Sequence, residues 1–154
     1  MGVGKTTVCE LLKSKLPNAV FLDGDWCWDM DPFKVTEETK ELVLDNIAYV
    51  LNSFIKCSAF ENVLFCWVMH EQETINTILS RLHLEDCSVT TASLVCSEEA
   101  LKDRLGHDIE SGIRTTDIID RSMKYLPLYN HLEATTIDTS SLSAEEVCLR
   151  IIEL

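Results

Sequence analysis

Basic residues are scarce in this chain: 13 lysines and arginines stand against 26 aspartates and glutamates, a formal charge of −13. An acidic surface repels both a phosphodiester backbone and an anionic lipid face, so nucleic acid and membrane are excluded as partners, and an anionic ligand needs a local basic site. No run approaches the roughly 18 apolar residues of a membrane span, and the N-terminus lacks the apolar core of a signal peptide. The expected location is cytoplasmic. Cys9, Cys27, Cys57, Cys66, Cys87, Cys96 and Cys148 stand singly, with no C-x-x-C and no histidine at ligand spacing, which argues against zinc. The expectation is reduced thiols, buried and packing as small hydrophobes. A G-x-S-x-G elbow, a serine-histidine-aspartate arrangement and the N-K-x-D of GTP switches are all absent. So are linkers, repeats and low-complexity stretches. With 154 residues, 46% of them hydrophobic, residues 1–154 read as a single domain able to bury a core.

What is present begins at once. Met1 to Thr7 read as the back half of a phosphate-binding loop, G-x-x-x-x-G-K-[ST], with Gly4-Lys5-Thr6 as its G-K-T. Side-chain-poor positions let successive backbone N–H groups turn onto phosphates, while Lys5 reaches the β and γ oxygens and Thr6 holds Mg²⁺. The following helix adds its positive end. The motif's first glycine, and the strand that usually feeds it, would lie before Met1. Two explanations stand side by side: a start assigned too late, which we prefer, or a truncated relative with a weakened site. Loss of a central buried strand would expose strand edges and apolar helix faces, so residues 1–154 alone are expected to be marginally stable.

Along the chain, Val8, Leu11, Leu12 and Leu16 give a helix over 6–16 that Pro17-Asn18 stops. The unbroken apolar runs at 19–22 and 63–69 read as strands buried on both faces, the second ending at His70. Asp23-Gly24-Asp25 closes the first, and 26–33 reads as an aromatic, acidic loop. An apolar stripe predicts the longest helix over 36–57, another helix over 71–82, a strand over 89–96 and a helix opened by Ser97, Glu98 and Glu99. From Arg104 to Arg114 the hydrophobic period is lost, and two glycines suggest a mobile segment. A helix over 116–128, a strand over 134–137, a turn at 138–141 and a helix capped by Ser143 and Glu146 complete the chain. Alternating helices and apolar strands imply an α/β fold with a parallel sheet covered on both faces. Ligands in such sheets bind at the carboxyl ends of the strands, where the glycine loop, Asp23, Asp25, His70, Ser97 and the Asp138 turn would gather.

Asp23 and Asp25, with only Gly24 between them, can serve the Mg²⁺ shell or an acceptor hydroxyl. Arg104 and Arg114 flank a glycine-bearing polar segment, and guanidinium groups spread over phosphate oxygens. Trp26, Trp28 and Trp67 are candidate walls of an acceptor pocket, with His70 a polar contact.

Taken together, the G-x-G-K-T-T stretch, the strand ending in Asp23-Gly24-Asp25 and the late arginine segment resemble the P-loop small-molecule and nucleotide kinases. The shikimate, gluconate and adenylylsulfate kinases are similar in these parts. The resemblance implies a three-layer P-loop NTPase fold, a five-stranded parallel sheet whose first, central strand is missing here, and a lid over about 104–116. It implies that Gly2, Val3, Gly4, Lys5, Thr6 and Thr7 cradle ATP, with Mg²⁺ on Thr6 and Asp25. Asp23 or Asp25 would be the base, Arg104 and Arg114 lid contacts, and Asp138-Thr139 the adenine turn. Between Asp25 and Lys40 there is no arginine to hold an anionic acceptor, which favours a neutral or cationic one unless Arg121 serves it. The expected function is an ATP-dependent phosphotransferase acting on a small-molecule or nucleotide hydroxyl, the acceptor and the oligomeric state being left open. The alternative is a non-catalytic or vestigial nucleotide-binding protein.

Overall fold

In the computed structural model, residues 2–154 are described; Met1, the first residue of the predicted loop, lies outside them. In chain order the elements are α1 (Lys5–Lys15), β1 (Ala19–Asp23), a 3-10 helix (Gly24–Trp28), α2 (Glu37–Ile55), β2 (Asn62–Cys66) and α3 (Gln72–Ser80). There follow β3 (Ala92–Val95), α4 (Glu98–Glu110), α5 (Asp117–Tyr125), a 3-10 turn (Leu126–His131), β4 (Thr135–Asp138) and α6 (Ala144–Ile152). The chain divides into two compact units: one holds residues up to Val8 with His70–Gln72 and Thr90–Leu154, the other Cys9–Met69 and Glu73–Val89.

Each unit carries a two-stranded parallel sheet. In the second unit β1 lies beside β2 with Phe21 opposite Leu64; in the first, β3 lies beside β4 with Leu94 opposite Ile137. Parallel pairing requires a crossover between the two strands, and α2 and α4 lie in those crossovers. The predicted α/β class with parallel strands is therefore what the chain adopts, its four described strands forming two parallel pairs.

The core of the second unit follows from helical spacing. Val43, Ile47 and Leu51 recur every four residues on one face of α2 and are buried against Leu22 and Ile78. Burying a side chain of this size contributes about 1.5–3 kcal/mol. The helix starts where Thr36 accepts from the Thr39 N–H at 3.1 Å, while the Thr39 hydroxyl accepts from the Thr36 N–H. Past the end of α3, Arg81 is tied to α2 through Glu41 and Asp45, and Asn52 bridges the Arg81 carbonyl and the His83 N–H. In the first unit, Val3, Cys96, Leu101, Leu105 and Ile118 are buried together, with Leu94, Ile109 and Met123 packed against them. The Ser143–Glu146 capping box opens α6 as the sequence implies.

Four expectations are corrected. Residues 104–110 are not an irregular segment; they continue α4, because Leu101, Leu105 and Ile109 supply an apolar row at four-residue spacing. Gly106 sits inside that helix, and Gly112, at φ 70°, ends it: the Ile113 N–H bonds to the Asp108 carbonyl and the Gly112 N–H to that of Ile109. The 26–33 loop begins with a 3-10 helix, opened by Asp23, whose carboxylate accepts from the Asp25 N–H at 3.1 Å. The second strand stops at Cys66, so His70 lies beyond it and Trp67 leaves the ladder to turn onto Gly24. Finally, Cys57 and Cys87 are exposed and Cys9 and Cys27 only partly buried, while Cys66, Cys96 and Cys148 are buried as expected; the two exposed ones lie outside the helices and strands that carry the core.

Candidate functional site

The predicted site residues divide between the two units. In the first, Gly2 and Gly4 take φ of 75° and 91°, backbone conformations that favour glycine. At Gly2 the requirement is doubled: a Cβ there would stand 2.9 Å from Leu101 Cδ1 and 3.0 Å from Leu105 Cδ2. The loop therefore lies directly on α4, with the Val3 side chain in the core beneath it. Gly4 has open space where a Cβ would be. The Gly4 carbonyl accepts the Val8 N–H at 2.9 Å, so α1 begins there. An α-helix has no acceptors of its own for its first N–H groups, and no acidic residue in this first turn offsets their positive end. Lys5 is half-buried and takes part in none of the ion pairs among the described residues. Thr6 and Thr7 are exposed. Positive-φ glycines, an unneutralised helix start and a lysine without a carboxylate partner suit an anion of several oxygens, and the Thr6 hydroxyl is of the type that ligates Mg²⁺.

Arg104 and Thr139, remote in sequence, meet in this unit. The guanidinium donates to Thr139 Oγ1 at 3.0 Å and to its carbonyl at 2.6 Å, while the Thr139 N–H bonds to the Val95 carbonyl at 2.8 Å. Thr139 is 2% exposed, so the expected adenine turn has its Thr139 backbone already engaged inside the fold. Arg104 braces that turn, keeping three of its five donors for other partners. Asp138 accepts from the Ser140 hydroxyl at 2.5 Å and the Ser140 N–H at 2.8 Å, and these bonds hold its carboxyl below the usual range. The Ser140 hydroxyl also accepts from the Ser97 N–H at 2.8 Å. Arg114 donates to Asp108 Oδ2 at 2.9 Å, across the glycine stop of α4. Arg121 is exposed on α5, one turn after Asp117, whose carboxyl is lowered first by the Thr115 hydroxyl and then by Arg121. The His70 ring stacks on Tyr125 at 4.4 Å with its Nδ1 buried and without a partner.

The second unit holds the carboxylates and tryptophans. Asp23 is 6% exposed, and its other oxygen accepts from the Cys66 thiol at 3.6 Å. Asp25 is exposed and accepts from the Trp67 indole N–H at 3.1 Å. Gly24 between them is obligatory, since a Cβ would stand 2.4 Å from Trp67 Cγ. Trp28 contacts Trp67 at 5.9 Å and Phe33 at 5.6 Å, and Trp26 meets Phe21 edge-on at 5.5 Å. Gly24→Ala is expected to cost about 1–3 kcal/mol, because overpacking forces Trp67 away. A lower melting temperature with altered tryptophan emission would register it. Gly106→Ala, in open space within α4, is expected instead to be neutral or to stabilise by up to about 1 kcal/mol.

Sequence reasoning placed Ser97 and the turn containing Ser140 at one edge but missed the bond by which they tie the Asp138 turn to the start of α4, and it missed Asp108 as the partner of Arg114. Serine before an acidic pair signals the Ser97 cap, but nothing in the sequence pairs these groups across the chain.

The structure has the fold of the P-loop kinases. It is similar to the tunicamycin resistance protein of Deinococcus radiodurans (TM-score 0.68, 19% identity, covering 99% of this chain and 88% of that one). It is similar also to a sugar kinase from Janibacter sp. HTCC2649 (0.73, 15%, 99% and 87%) and to a gluconokinase from Sinorhizobium meliloti 1021 (0.67, 16%, 99% and 85%). By sequence, residues 1–124 match the AAA domain family, and the chain belongs to it. No curated protein matches the sequence. No helix among the described residues is long and apolar enough to cross a membrane.

Proposed function

We propose that the protein is an ATP-dependent phosphotransferase, the chain working as one kinase-like domain on a small molecule's hydroxyl group. The observation that carries the reading is the loop at Gly2 and Gly4, with the Lys5 ammonium at the opening of a helix whose first turn has no acid. Bound Mg·ATP supplies the transferable phosphoryl group. The backbone of residues 2–7 and the Lys5 side chain would hold its phosphates, with Thr6 the candidate metal ligand of the first unit and Asp25 that of the second. Arg104, Arg114 and Asp138 would border the nucleotide, with Arg104 fixing the Asp138 turn through the buried Thr139. Trp26 and Trp28 of the second unit, or His70 and Arg121 of the first, would border the acceptor.

In the transfer, the acceptor oxygen forms a bond to the γ-phosphorus as the bond to the ADP oxygen breaks. The hydroxyl proton passes to a carboxylate. Asp25 is the better base: it is exposed, and with Oδ1 held by Trp67 its Oδ2 faces no described donor, whereas buried Asp23 is engaged on both oxygens. Catalysis would rest on positioning and charge neutralisation.

The test joins a thermal melt in Mg·ATP to ADP release across a panel of hydroxyl compounds. Saturating Mg·ATP at about a hundred times its dissociation constant is expected to stabilise the fold by about 2.7 kcal/mol. Release of ADP together with a phosphorylated product supports the reading. Stabilisation without transfer to any hydroxyl compound would leave a nucleotide-binding module, and no stabilisation would remove both.

A further inference from the structure

We propose that the nucleotide end of the first unit does not select adenine, so that GTP serves as phosphoryl donor at least as well as ATP. That a nucleotide binds there rests on the function proposed above; the choice of base rests on the bonds of the Asp138 turn.

The turn and the glycine loop belong to the same unit and meet the end of the same strand. Val3 of the loop is buried with Cys96, and Val95, one residue earlier, accepts the Thr139 N–H at 2.8 Å and the Thr139 hydroxyl at 3.1 Å. The base of a nucleotide held by its phosphates at the loop would meet this turn. Yet the turn's own polar groups are already spent. The Thr139 carbonyl accepts from Arg104 at 2.6 Å and from the Leu142 N–H at 3.4 Å, and the Ser140 N–H goes to Asp138 Oδ1 at 2.8 Å. Of the N–H groups from 139 to 142, only that of Ser141 has no partner among the described residues. A site rejects the wrong ligand when its own polar groups are then left unpaired. Groups satisfied within the fold lose nothing when adenine is exchanged for another purine.

Two charged side chains at the turn keep capacity for a base. Asp138 is exposed; Ser140 takes its Oδ1 through both hydroxyl and N–H, and Oδ2 has no donor among the described residues. Those bonds hold its carboxyl below the usual range, so it is ionised and can only accept. Arg104 spends two donors on Thr139 and can only donate with the rest. Adenine presents an amino donor beside a ring-nitrogen acceptor, and its usual partner is the amide of asparagine or glutamine, which offers both functions at once. Guanine suits the charged pair better. Its N1–H and 2-amino group are adjacent donors for a carboxylate, while O6 and N7 are the acceptors that arginine pairs with.

The intact protein is melted across concentration series of Mg·ATP, Mg·GTP and Mg·tripolyphosphate, the last reporting the loop without a base. GTP is expected to bind at least as tightly as ATP, and both more tightly than tripolyphosphate. In Asp138→Asn the side chain keeps an oxygen for Ser140 but replaces the second acceptor by an amide N–H. The ratio of GTP to ATP affinity should then swing about tenfold toward ATP, while the ligand-free melting temperature changes little. ATP binding about tenfold or more tighter than GTP in the unaltered protein overturns the inference and keeps the kinase reading. Equal responses to ATP, GTP and tripolyphosphate, or an unchanged ratio in Asp138→Asn, also overturn it, since the base then lies away from this turn. No response to any of the three removes the nucleotide site and this inference together.

Discussion

Lys5→Ala is expected to abolish the Mg·ATP-dependent rise in melting temperature and to lower any phosphoryl transfer by roughly a hundredfold to a thousandfold, the usual effect of removing one preorganised charge-stabilising group. The substitution isolates that charge unusually well. Lys5 opens α1, where alanine is the best helix former, and no ion pair among the described residues involves it, so the ligand-free melt should move by less than about 0.5 kcal/mol. Lys5→Arg should recover only part of the loss, because a planar fork does not replace a compact ammonium in a close-fitting loop. Melts and ADP release for the three proteins decide the matter. An unchanged nucleotide response in Lys5→Ala would show that Gly2, Gly4 and the helix start form a phosphate loop in shape alone.

Leu105→Ala is expected to cost about 2–5 kcal/mol, the range for emptying a fully buried leucine site. Leu105 is 0% exposed and packs with Val3, Leu101 and Ile118 beneath Gly2. The cavity would lie under the Gly2–Gly4 loop, so on the proposed function Mg·ATP affinity should fall along with stability. At about 2–4 °C per kcal/mol for a chain of this size, the shift is easily measured. A cost within about 0.5 kcal/mol would be the result for an exposed mobile segment and would contradict the packing of α4.

The contrast between these two residues shows what could be read in advance. Lys5 announces itself, because the glycine-lysine-threonine pattern is local, its residues lying side by side in the sequence. Leu105 lies among Arg104, Gly106, His107 and Asp108, and a polar, glycine-bearing surround hides a four-residue apolar row. Gly112 read as a sign of mobility is a helix stop, a distinction that depends on its φ and on the bonds made by Ile113 and Gly112. Asp23-Gly24-Asp25 was legible as a pair of carboxylates. That Gly24 exists to admit the Trp67 ring, and that Asp25 receives the Trp67 N–H, was not, since 42 residues separate the partners.

By itself the sequence determined the α/β class, the parallel strands, most of the helices and the glycine-lysine-threonine and acidic aromatic stretches, because each rests on contacts within a few residues or on a repeating apolar pattern. Only the tertiary structure decided what the polar side chains are for: Arg104 braces Thr139, Arg114 is held by Asp108, Asp138 is bound by Ser140, and Asp25 is oriented by Trp67. The physical reason is that hydrogen bonds and ion pairs are short-ranged and directional. Which donor meets which acceptor is fixed only after hydrophobic burial has brought distant segments together.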